Sequence, residues 1–70
     1  MNTRALKAQM ALHGMTQQEL CEQAGISLSS FYRKMSEKVE FTQGEISAIA
    51  RVLHMDKETI CAVFFADEVS

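Results

Sequence analysis

Seventy residues with 47% apolar and 23% charged side chains and a formal net charge of −2 set the bounds. A chain of this size holds one domain, close to the lower limit at which an apolar core suffices without staples. The negative balance argues against a strong nonspecific polyanion binder, which needs Lys and Arg to neutralise phosphates.

The first predicted element runs from about Thr3 to His13, where Leu6 and Met10 lie four apart among Arg4, Lys7 and Gln9 and Gly14 follows as a stop. Met1-Asn2-Thr3-Arg4 leads straight into this pattern with no long apolar leader, so the expected location is the cytoplasm. No apolar run approaches the roughly eighteen residues of a membrane span.

Thr16 is a good N-cap, and Glu19, three residues on, completes a capping box. The helix it opens, about Gln17 to Ala24, carries Leu20, Cys21 and Ala24 and ends at Gly25, which tolerates the left-handed conformation of a C-terminal cap. Ile26 can plug the corner. Ser27 then caps a third helix, about Leu28 to Ser36, with Phe31 and Met35 on its inner face. Two short capped helices meeting at a glycine turn have the scale of a helix-turn-helix. Cys21 faces the crossing, where only a small side chain fits.

Glu37 to Phe41 shows no period and reads as a loop. Thr42 and Glu45 repeat the capping-box spacing and open a fourth helix, about Gln43 to His54, with Ile46, Ile49, Ala50 and Leu53 as its stripe. Asp56 caps a fifth, about Lys57 to Phe65, whose apolar face is Ile60, Val63 and Phe64. Residues 66–70 form a short tail. With no proline, no alternating strand pattern and no repeat, the expected fold is all-α, a five-helix orthogonal bundle.

The motif residues resemble those of the phage Cro/CI-type (Xre) helix-turn-helix repressors. That family commonly carries Thr-Gln, Leu-Ala and Ala-Gly-Ile-Ser, then an apolar residue four after that serine; here stand Thr16-Gln17, Leu20-Cys21, Ala24-Gly25-Ile26-Ser27 and Phe31. The resemblance spans nearly the whole chain and implies a lambda-repressor-like DNA-binding domain.

Read from the residues, the helix face opposite Phe31 and Met35 presents Ser27, Leu28, Ser29, Tyr32 and Arg33. Arg33 can grip guanine O6 and N7, Ser29 can donate or accept, and Leu28 can touch a thymine methyl. These three are the expected base readers. The resemblance implies a phosphate contact at Gln17, and Ser27, Tyr32, Lys34, Lys38, Thr42 and Gln43 join it as positioning residues, the last two through amides at a helix N-terminus. Charge is distributed to suit. Residues 1–38 hold five Lys and Arg against three Glu, whereas residues 39–70 hold two against six Asp and Glu.

Catalysis and metal binding find little footing. His13 and His54 each sit near a predicted helix C-terminus without a paired nucleophile and read as capping or surface residues. Cys21 and Cys61 lack a close ligand partner and read as small buried hydrophobes. No cofactor, metal or small-molecule ligand is expected.

Ile60, Val63, Phe64 and Phe65 are more apolar surface than one short helix buries on a small bundle. Ile60, Phe64 and Phe65 are therefore the expected homodimer contact, which would place two recognition helices on a pseudo-palindromic DNA operator. The expected function is a cytoplasmic, dimeric repressor of phage or prophage type. The alternative is an antirepressor or other protein-interaction module that keeps the fold without DNA.

Overall fold

The computed structural model describes residues 1–37 and 39–65. Five helices follow in order: α1 (Thr3–Leu12), α2 (Gln17–Ala24), α3 (Leu28–Ser36), α4 (Gln43–Val52) and α5 (Lys57–Phe64). No strand occurs among the described residues. The expected bundle is present, with α1, α4 and α5 each ending one or two residues earlier than the apolar pattern suggested.

Each helix begins on a side chain that accepts a hydrogen bond from an otherwise orphaned amide. Asn2 Oδ1 caps α1 by accepting the Ala5 N–H at 3.1 Å, a cap the sequence reading passed over. Both capping boxes form as expected. The Glu19 N–H donates to Thr16 Oγ1 at 3.1 Å and the Thr16 N–H to Glu19 Oε1 at 3.0 Å, while Glu45 and Thr42 exchange the same pair of bonds at 3.2 and 2.8 Å. Ser27 and Asp56 cap α3 and α5 through the amides of Ser30 and Thr59.

Gly25 takes φ +72° at the turn, and the N–H groups of Gly25 and Ile26 both donate to the Cys21 carbonyl. A Cβ at this position would meet nothing within 4 Å, so only the backbone conformation demands glycine. Gly25→Ala should cost about 1 kcal/mol in a denaturant melt, all of it from the left-handed backbone.

The core gathers Leu6, Met10, Leu20, Cys21, Phe31, Ile49, Ala50, Leu53, Val63 and Phe64. It includes Phe41, only 5% exposed although it belongs to the connection between α3 and α4. Its ring lies 5.7 Å from Phe31 and 6.0 Å, edge-on, from Phe64. Such offset and edge contacts suit aromatic quadrupoles. Phe41 precedes the Thr42 cap, and Ile46 stands at the fourth helical position, the spacing of a hydrophobic staple. That spacing was the available signal. Met15 and Leu20, Ile26 and Phe31, and Met55 and Ile60 repeat it at the other caps, and all six are buried in or packed against the core.

Two expectations about α5 fail. Phe64 is 6% exposed and belongs to the core, so it cannot serve a dimer contact. The Phe41 ring packs edge-on against it, a contact that the faces of α5 alone do not show. Cys61 is exposed, because α5 packs chiefly on α1 and α4 and turns this flank away from both. Cys21 is buried as expected, and burial pushes its thiol pKa up, which keeps it unreactive. At the other end of the chain, the Asn2 N–H donates to the Val63 carbonyl at 2.6 Å and fastens the start of α1 to the end of α5.

Candidate nucleic-acid interface

The α2–turn–α3 unit leaves one side of α3 in water. Ser29 and Arg33, four residues apart, are exposed and line an open groove of about 260 Å³ together with Ser30. Neither the Arg33 guanidinium nor the Ser29 hydroxyl is engaged by another described side chain, so both are available to a ligand. Leu28 is half-buried and packs partly on the core, which leaves only part of its side chain on this face. Ser27 Oγ accepts the Ser30 N–H at 3.2 Å, a cap that leaves its hydroxyl proton free to donate.

A second groove, of about 430 Å³, flanks the first helix of the motif and is lined by Thr3, Lys7, Gln17, Tyr32, Met35 and Ser36. It brings together the start of α1, the N-terminus of α2 and the end of α3. Gln17 is the first residue of α2, where unpaired amides and the helix dipole favour an anion. Tyr32 is 51% exposed at the rim. Lys7, an exposed cation on this groove, was counted in the charge balance but not singled out as a site residue. No spacing in the sequence marks it, because its neighbours here come from α2 and α3.

Lys34 is a correction. Expected to hold a phosphate, it is instead 8% exposed, and its ammonium donates to Glu45 Oε1 while lying 5.6 Å above the Phe41 ring. Inward-facing positions of α3 are therefore Phe31 and Lys34, with Met35 half-buried beside them. The same Glu45 oxygen accepts the Thr42 N–H. One carboxylate thus ties the last turn of α3 to the first turn of α4. Burial alone would raise the Glu45 pKa, but hydrogen bonds from Lys34 and the Thr42 amide, with the Lys34 charge, hold it below the ordinary value.

Thr42 is committed to capping through both its hydroxyl and its amide, which narrows the expected anion position at α4 to the amides of Gln43 and Gly44. Lys38 lies outside the described residues. Ile60 and Phe65, the remaining members of the expected dimer contact, are half-buried, and Phe65 lines a small cavity of about 30 Å³ with Met1, Glu40, Phe41, Ile46 and Phe64.

Among the described residues, no group of three or more His, Cys, Asp and Glu side chains gathers as a metal cage, and no helix is long and apolar enough to cross a membrane. Comparison with curated proteins and with solved structures finds no significant match. The sequence profile of the Cro/C1-type HTH DNA-binding domain matches residues 5–65, from the first turn of α1 through the end of α5. Domains of this family are typically non-enzymatic. With five capped helices among the described residues, a glycine turn between α2 and α3 and an exposed face on α3, the chain belongs to the Cro/C1-type helix-turn-helix DNA-binding domain family.

Proposed function

We propose that the protein is a sequence-specific transcriptional regulator of phage-repressor type that reads an operator in the major groove with α3. The observation that carries this reading is the exposed Ser29–Arg33 edge of α3, flanked by the Lys7–Gln17–Tyr32 groove. Arg33 and Ser29 address base edges, with a minor contribution from the exposed part of Leu28. Gln17, Lys7, Tyr32 and Ser27 set the register on one phosphate run, and Lys38 with the Gln43 amide does so on the other. The protein acts in the cytoplasm as a homodimer on its operator, pairing through the Ile60 and Phe65 end of α5 so that two α3 helices address half-sites one DNA turn apart.

A second reading, a protein-interaction module or antirepressor, draws on the acidic net charge and on the withdrawal of Lys34 from the surface. Salt dependence separates the two. With Lys7 and Lys38 each neutralising one phosphate per subunit, the logarithm of the operator association constant should fall with the logarithm of salt with a slope of roughly −3 to −4. The measurement is a fluorescence titration on an operator selected from random-sequence DNA, with sedimentation of the complex giving two chains per site. Absence of binding at low salt would transfer the conclusion to the interaction module.

A further inference from the structure

His13 and His54 are far apart in sequence, yet the fold sets their rings 6.0 Å apart, centroid to centroid, and tilted by 45°. Both residues are exposed, and no described side chain or backbone group occupies their ring nitrogens. We infer that they form a two-imidazole site for a late first-row divalent metal ion, bridging the end of α1 to the end of α4. When two imidazoles share one tetrahedral ion at metal–nitrogen distances of about 2.0–2.1 Å, their centroids stand roughly 5.3 Å apart. Both side chains are exposed, which leaves each ring free to turn a nitrogen toward a shared ion.

The backbone supplies an independent observation. His54 holds φ +51°, the only non-glycine residue at positive φ among the described residues. The ends of α1 and α4 share one hydrogen-bond frame: Met15 N–H donates to the Met10 carbonyl at 2.9 Å in the first, and Met55 N–H to the Ala50 carbonyl at 2.9 Å in the second. The left-handed position in that frame is Gly14 in α1 and His54 in α4. Local geometry favours glycine at both, and histidine is one of the few other residues that enter the left-handed region readily, so position 54 carries an imidazole where the α1 frame carries none.

Electrostatics agree. Each imidazole stands where a helix C-terminus concentrates partial negative charge, which favours a cation, and Arg51 is the one basic residue in either last turn. Imidazole nitrogens suit Zn²⁺, Ni²⁺ and Cu²⁺, and two ligands leave the other coordination positions to water. The bound ion would tie the segment leading into α2 to the far end of α4. This inference stands apart from DNA recognition, since neither histidine lines the α3 face or the Lys7 groove.

The test is calorimetric and thermal titration of the full chain with Ni²⁺. One ion per chain should bind, and at a free concentration 100 times Kd the melting temperature should rise by roughly 10 to 20 °C, reversibly with a chelator. His54→Gly relieves the left-handed backbone, so it should melt no lower than the parent without metal and yet lose the nickel-dependent shift. His13→Ala should lose it as well. Absence of a shift in the parent overturns the inference. So does a shift retained in His54→Gly, which would place the ion at the exposed Cys61, or a stoichiometry of one ion per two chains.

Discussion

Arg33→Ala should weaken binding to the selected operator by about 10- to 100-fold while leaving the melting temperature unchanged. The magnitude is that of one bidentate arginine–guanine pair, about 1–3 kcal/mol of discrimination. Stability is spared because Arg33 is exposed and engages no described partner with its side chain. The loss should fall on specificity as well as affinity: the variant should stop distinguishing the operator from one changed at the contacted base pair. Lys7→Ala supplies the contrast. It should weaken binding to all sequences alike and flatten the salt slope, since a phosphate contact carries no sequence information. An Arg33→Ala variant that still discriminates the altered operator would remove base reading from this residue.

Lys34→Ala should act on the other side of the balance, costing about 3 kcal/mol of stability in a denaturant melt. Breaking a buried pair strands the remaining charge, here a Glu45 carboxylate whose side chain is 21% exposed. That residual access to water keeps the expected cost at the lower end of the range for buried pairs. The lost ammonium also uncovers the Phe41 ring beneath it. For a chain of 70 residues the loss is a large share of the total. Lys34→Met should recover part of it by restoring the aliphatic packing without the charge.

The same carboxylate makes the fold acid-sensitive. The Glu45 pKa is lowered from an ordinary 4.5 in the folded chain, so its stabilising contribution is complete above that value and is lost as pH falls through the depressed folded value. Glu19 and Asp56 are lowered in the same direction, Glu19 chiefly by its Thr16 amide bond and Asp56 by the hydroxyl and amide of Thr59. Stability measured against pH should therefore drop on the acid side of the usual carboxylate range. In Lys34→Ala the part owed to Glu45 should shrink.

How the candidate site divides between sequence and structure follows from the range of the interactions. Ser29 and Arg33 were legible because a capped helix fixes its own faces: once Ser27 starts α3 and Phe31 turns inward, Ser29 and Arg33 face out, whereas Gln17 was named by the family resemblance. Arg33 falls two residues after Phe31, on the outward side of α3, whereas Lys34 falls three after it, on the inward side, so helix geometry already tells the two apart. What that side holds for the Lys34 ammonium, the Glu45 carboxylate and the Phe41 ring, comes from α4 and from the α3–α4 connection. Lys7 is the converse, an ordinary surface lysine on α1 until α2 and α3 close a groove around it.

The sequence by itself determined the five helices, their caps and the glycine turn, because these depend on hydrogen bonds and conformational preferences spanning three to five residues. Thr16 with Glu19, Thr42 with Glu45, and Gly25 at φ +72° needed no distant partner. Tertiary structure alone decided that Phe64 is closed over by the Phe41 ring, that Cys61 faces water, that Lys34 meets Glu45 and that His13 meets His54. Each of those outcomes depends on how one helix crosses another, and a crossing is fixed by side chains that are neighbours only after the chain has folded.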